Sequence, residues 1–157
     1  MKVLKIIAPN HISLTPLGGR RFAINQSTEF EMMLSDGTEL LAWVHKNYVT
    51  DFRSGGPFVD RFIDQFGETP EIQVCYLMHD LFYTRRVNKT HFQTREFADM
   101  VLRESLICAG LPAWKAKAVW AAVRLFGRKA YTDDDAYSIP NASRFNMTRC
   151  ISPVLIK

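Results

Sequence analysis

The chain has 157 residues, 47% of them hydrophobic and 23% charged, with a net charge of +4 and a pI near 9.1. Those values predict one domain over 1–157 with room for a substantial core, and they exclude a disordered or low-complexity chain. No run approaches the ~18 apolar residues of a membrane span, and the first seven residues lack the apolar core and small-residue cleavage site of a secretory signal. Cys75, Cys108 and Cys150 are odd in number and unpatterned, which predicts no disulfide framework and a reducing compartment. The mild basic excess suits anionic lipid or nucleic acid, or is a solvated arginine-rich face, and no nucleic-acid partner is expected.

In chain order, residues 20–56 read as β-rich. Gly18-Gly19 marks a turn, and residues 21–24 form a short strand. Residues 30–34 and 39–44 flank Ser35-Asp36-Gly37-Thr38, a hairpin signal carried by Asp36-Gly37. Residues 49–52 end this part, and Ser54-Gly55-Gly56-Pro57 breaks it. Residues 57–128 read as helical. A short helix is expected over 58–63, closed by Gly67 and Pro70, and a second over 71–83. Thr90-His91-Phe92-Gln93 has the form of a capping box opening a third helix that runs to about residue 108. A fourth covers 113–126 and stops at Gly127, with Trp114, Trp120 and Phe126 spaced for core packing. Residues 129–157 lose periodicity and read as an extension that wraps the domain or contacts a partner. The expected fold class is α+β, a small N-terminal antiparallel sheet followed by a helical bundle.

The chemistry concentrates at His79-Asp80, a titratable imidazole beside a carboxylate in an otherwise apolar helix. An unpaired charge buried there is costly, so the pair either borders a cleft or is matched by partners. Neighbouring residues on a helix point about 100° apart and take different tasks. One division makes His79 a general base and Asp80 a metal ligand, with Asp99 on the next helix orienting the imidazole. Arg95 stands at i−4 from Asp99 and Tyr83 at i+4 from His79, both in supporting positions. The alternative is a structural pair that only joins two helices. Asp51, followed by Ser54 and Gly55, offers carboxylate and backbone oxygens to a hard cation such as calcium, or is a turn cap. Asp133-Asp134-Asp135 lacks a calcium-loop spacing and reads as a solvated loop. His11, His45 and His91 read as peripheral, and Arg124 and Arg128 face phosphate or complement a helix C-terminus. No zinc spacing or glycine-rich phosphate loop is present.

The order His79-Asp80, Tyr83-Thr84-Arg85 and Arg95-Glu96-Phe97-Ala98-Asp99, with Ala122-Val123-Arg124 at a helix end, resembles the prokaryotic branch of the secreted phospholipase A2 superfamily. The segment Thr50-Asp51-Phe52-Arg53-Ser54 together with the same helices is similar to a family of small, uncharacterised phage and prophage proteins, over roughly residues 20–128. The first resemblance implies His79 as base, Asp99 as its orienting carboxylate, and Asp80 with oxygens near Asp51 holding calcium during hydrolysis of a phospholipid ester. Arg53 stands in the segment after Asp51, and Cys75 has no mate where secreted enzymes clamp these helices. The second resemblance implies a phage-type origin and says little about activity; the expected place of synthesis is the host cytoplasm, and the expected partner is a phospholipid membrane surface or phage structural proteins of the virion or tail.

Three readings follow. The first is a phospholipase-like hydrolase working at a membrane surface, with His79 meeting Asp99 beneath an open cleft. The second is a non-enzymatic phage component that keeps the His-Asp core as a relic. The third is a metal-dependent phosphohydrolase assembled from His45, His79, Asp80 and Asp99.

Overall fold

The computed structural model describes residues 1–18, 21–50, 69–83, 94–128 and 131, and the backbone of 146–151. The expected α+β arrangement is present, with the β part divided between two antiparallel sheets. The first has the order β1 (Val3–Ile7), β4 (Thr28–Leu34), β5 (Thr38–Val44), β7 (Asn146–Ile151). The second has the order β2 (Leu14–Pro16), β3 (Phe22–Ile24), β6 (Val49–Thr50).

The β4–β5 hairpin turns at Asp36-Gly37. Gly37 takes φ 79°, a left-handed value that costs glycine little, and the Asp36 carboxylate accepts the Thr38 N–H at 3.0 Å. The register pairs Met32 with Leu40 and Phe30 with Ala42, and all four are buried. Side chains alternate across a strand, so Glu29, Glu31 and Glu39 fall on the other face. The hairpin gains an edge on each side. The N-terminal residues form β1 against β4, with Val3 opposite Leu34. Far along the chain, β7 pairs with β5, placing a strand where the sequence suggested an aperiodic extension.

Three helices follow. Helix α1 (Pro70–Tyr83) starts with proline at its first position, where a missing N–H costs nothing, and Thr69 Oγ1 accepts the Ile72 N–H at 3.3 Å. It is buried on all faces from Val74 to Tyr83. Helix α2 (Arg95–Cys108) is capped by Thr94, whose side chain accepts the Phe97 N–H at 3.1 Å. The cap is therefore Thr94, and the box expected at residues 90–93 lies outside the described residues, as does the helix expected at 58–63. Ala98, Val101, Leu102, Ser105 and Leu106 form the buried stripe of α2 at helical spacing. Gly110, at φ 94°, closes α2 with two bonds, Gly110 N–H to Ile107 and Leu111 N–H to Leu106, and Pro112 leads into the next helix.

Helix α3 (Ala113–Phe126) ends at Gly127, where the sequence placed its stop. Its buried side chains are Lys115, Ala116, Val119 and Val123, and the expected aromatic core stripe is corrected here. Trp114 is 61% and Phe126 65% exposed, and Trp120 lies 5.8 Å beneath the Arg103 guanidinium. Alanine and valine win the inner face because α3 packs closely on α2, and large rings do not fit between them. Buried residues of both sheets and all three helices join in one apolar cluster, and α2 lies between α1 and α3 while also touching β1.

Candidate active site

One carboxylate, Asp99 on α2, gathers groups from all three helices. His79 and Tyr83 stand one turn apart on α1, their rings 4.1 Å apart and tilted by 39°. His79 Nε2 lies 3.0 Å from Asp99 Oδ1, and the Tyr83 hydroxyl donates to the same oxygen at 2.5 Å. The other oxygen, Oδ2, accepts from Arg124 Nη1 at 3.1 Å and stands 3.6 Å from Arg95 Nε. Arg124 also donates to the exposed Glu96 at 3.0 Å. Arg95 ties the cluster to the end of α3. Its Nε donates to the Tyr83 hydroxyl at 3.2 Å, and its Nη2 donates to the carbonyls of Val123 and Arg124, each at 2.6 Å. The Val123 carbonyl also accepts the Gly127 N–H at 2.8 Å, and a guanidinium at this helix end adds a donor to the last-turn carbonyls and complements the helix dipole.

The electrostatics fix the protons. Burial raises the Asp99 carboxyl pKa, but the hydrogen bonds from His79, Tyr83 and Arg124 outweigh it and hold the group below its ordinary 3.8. Asp99 is therefore an anion and can only accept. Burial, reinforced by the bond to that anion, pushes the Tyr83 phenol up, so the hydroxyl stays a neutral donor. The hydrogen between His79 and Asp99 must then sit on Nε2, so that any lone pair the ring offers is on Nδ1. Nδ1 is buried and finds no hydrogen-bond partner among the described residues. Instead of the expected exposure to solvent, His79 is 1% exposed, on a helix whose residues from Val74 to Tyr83 are all buried.

Asp80 points away from this cluster, as the helical angle requires. Its Oδ2 accepts the hydroxyl of Thr50, the last residue of β6, and it too is buried. Asp51, Ser54 and Gly55 lie outside the described residues, as does Asp133-Asp134-Asp135. His45 follows β5 and packs against Trp43, the ring centroids 4.3 Å apart and the planes tilted by 46°. His45, His79, Asp80 and Asp99 are all described, yet no three histidine, cysteine or carboxylate side chains among the described residues gather as metal ligands. His45, His79, Asp80 and Asp99 therefore do not form the four-residue metal site of the phosphohydrolase reading.

Sequence reasoning missed several contacts. Arg124 was placed at a helix end without its carboxylate partner, 25 positions away. Thr50 was not linked to Asp80. Gly127 was read as a stop only, but a Cβ there would come 2.9 Å from the Tyr83 hydroxyl, so its lack of a side chain lets α3 approach the cluster. Tyr131 packs edge-on against Tyr83 at 5.2 Å. The one available signal was the absence of any acidic residue on α3 to pair with Arg124, which implied a partner elsewhere.

No helix among the described residues is long and apolar enough to cross a membrane. No curated protein and no solved structure proved similar to the chain. A family model described as "Protein of unknown function (DUF1353)" matches residues 28–123, which takes in the β4–β5 hairpin, His79, Asp80, Asp99 and the end of α3 up to Val123. With more than half of its length matched, the chain belongs to that uncharacterised family.

Proposed function

We propose that the protein is a phospholipase A2-like hydrolase of phage type that cleaves a phospholipid ester with His79 as base. The observation that carries this reading is the polarity of the imidazole: Nε2 is held by an ionised Asp99, so any lone pair the ring offers is on Nδ1. In this mechanism Nδ1 takes a proton from water as the water oxygen attacks the ester carbonyl carbon. Asp99 stabilises the resulting imidazolium, and Tyr83, Arg95 and Arg124 keep the carboxylate in place. The imidazolium then returns its proton to the leaving alkoxide, releasing fatty acid and lysolipid. Water reaches Nδ1 only when the enclosed ring is uncovered, so the reading includes an opening step.

Calcium is the cation this reading uses. The donors near Asp80 are right in kind, a carboxylate and the Thr50 hydroxyl, both hard oxygens. Asp80, with Asp51 following Thr50 in the chain, would hold the ion, and Ser54 and Gly55 would support it. When bound, such an ion polarises the ester carbonyl. The test is a calcium titration with mixed phospholipid vesicles. Wild type should release fatty acid in a calcium-dependent manner, and His79→Ala should not. Equal release by both proteins, or none by wild type at any calcium level, contradicts the reading.

Burial favours a second reading. His79 is 1% and Asp99 0% exposed, as suits a polar clamp between helices. In that case the protein is a non-enzymatic virion or tail component with phage structural proteins as partners, and His79→Ala lowers stability and particle assembly with no activity to lose.

A further inference from the structure

The outward face of α3 has no counterpart elsewhere among the described helices. Trp114 is 61%, Leu125 74% and Phe126 65% exposed. Residues 114, 118, 121 and 125 recur at steps of four, three and four, so Trp114, Ala118, Ala121 and Leu125 line one side over roughly 16 Å. Lys117 and Arg128 are exposed beside this apolar line. Between Glu104 and Asp133 the sequence carries Lys115, Lys117, Arg124, Arg128 and Lys129 and no acidic residue. Lys115, itself buried, keeps its ammonium 4.9 Å from the Trp114 ring. The contrast with the first sheet is direct, since the outer face of β4 and β5 carries Glu29, Glu31 and Glu39.

We propose that this face of α3 is a docking surface for an anionic phospholipid bilayer, with the helix lying parallel to the membrane plane. Apolar side chains along one side with basic residues flanking them form the pattern of a helix that rests in the headgroup region, and tryptophan favours that depth. Charge complementarity selects an anionic lipid, because the exposed charged residues beside the apolar line, Lys117 and Arg128, are both basic. The position suits the reading above, on which this proposal rests for its purpose. Leu125 and Phe126 directly follow Arg124, which holds Asp99, so docking would bring the bilayer to the end of α3 that supports His79.

The test measures binding without turnover. Full-length protein is sedimented with vesicles of equal parts phosphatidylglycerol and phosphatidylcholine, and with phosphatidylcholine alone. Wild type should follow the anionic vesicles. The pairs Lys117→Glu with Arg128→Glu, and Trp114→Ser with Leu125→Ser, should each weaken binding by about tenfold or more. All four positions are exposed, so unchanged circular dichroism and melting confirm folding, and a blue shift of fluorescence on binding should vanish in Trp114→Phe. His79→Ala should bind like wild type, and a wild type that binds these vesicles yet releases no fatty acid from them overturns the hydrolase reading and leaves this one intact. Absent binding, or equal binding by wild type and both pairs, overturns the proposal. So does a self-association in sedimentation velocity that the same pairs abolish, because the face would then belong to a second copy.

Discussion

The sheet and the helices solve the same packing problem with different materials. Across β4 and β5 the inner face is Phe30, Met32, Leu34, Leu40, Ala42 and Val44, apolar throughout apart from Thr38 at the start of β5. Across α1 and α2 the interior holds His79, Asp80, Asp99 and Ser105 amid leucine and valine. A sheet face of this kind needs only shape and burial, whereas each buried ion in the helical half must have its partners or destabilise the fold. Well-packed apolar residues often replace a buried ionic cluster without loss of stability. The helical half therefore carries a buried polar cluster that packing alone does not require.

Removing the anion tests that contrast hardest. Asp99→Ala leaves His79, Tyr83 and Arg124 facing an unfilled acceptor, and should cost about 3–5 kcal/mol in urea unfolding. Met32→Ala in the sheet should cost about 2–5 kcal/mol through its cavity alone. The two separate by rescue: a replacement of similar shape such as Met32→Leu should recover most of the sheet's loss, while Asp99→Leu should recover little, because Arg124 and Arg95 remain. Full rescue by Asp99→Leu would make the cluster ordinary packing.

A smaller effect comes from Gly127. The missing Cβ admits the Tyr83 hydroxyl, so Gly127→Ala should cost about 1–3 kcal/mol and weaken the Tyr83–Asp99 bond. Gly18→Ala, at φ 89° with nothing near its Cβ, supplies a control in which only backbone strain acts.

Acid titration sharpens the comparison further. Asp99 has a folded pKa below its ordinary value, so its contribution is fully present above the unfolded value near 3.8 and is lost as pH falls through the lower folded one. The stability gap between wild type and Asp99→Asn should stay level above about pH 5 and narrow below pH 4. The gap between wild type and Met32→Ala should not change with pH in that range. The smallest effect is kinetic: burial pushes the Cys75 thiol up to about 12, so a thiol reagent should label the exposed Cys108 first and Cys75 only on unfolding.

The sequence made some of this plain and concealed the rest for identifiable reasons. Asp36-Gly37 between alternating apolar residues declares its hairpin, because the turn chemistry and the strand period are both local. Helices α1 and α3 are readable to within a residue from Pro70, Pro112 and Gly127. Strands β1 and β7 were hidden because their pairing partners, β4 and β5, lie far away in the chain, and pairing rather than composition makes them strands. Thr94 was overlooked as a cap in favour of Thr90, since both are followed by a glutamine or glutamate within a turn. His79, Asp99, Tyr83 and Arg95 were legible as a set through helical spacing and the resemblance they carry. Arg124 and Thr50 were not, because contacts across 25 and 30 positions leave no local pattern. Large rings at Trp114 and Phe126 suggested core, yet close helix packing placed small residues there and turned the rings outward.

The imidazole of His79 is the point on which the chemistry turns, and nitrogen-resolved NMR of histidine-labelled protein at neutral pH reads it directly. The expected spectrum has a protonated, pyrrole-type Nε2 with a coupling across the hydrogen bond to Asp99, and an unprotonated, pyridine-type Nδ1. A proton resident on Nδ1 of the neutral ring would contradict it, for no lone pair would then remain to accept a proton from water.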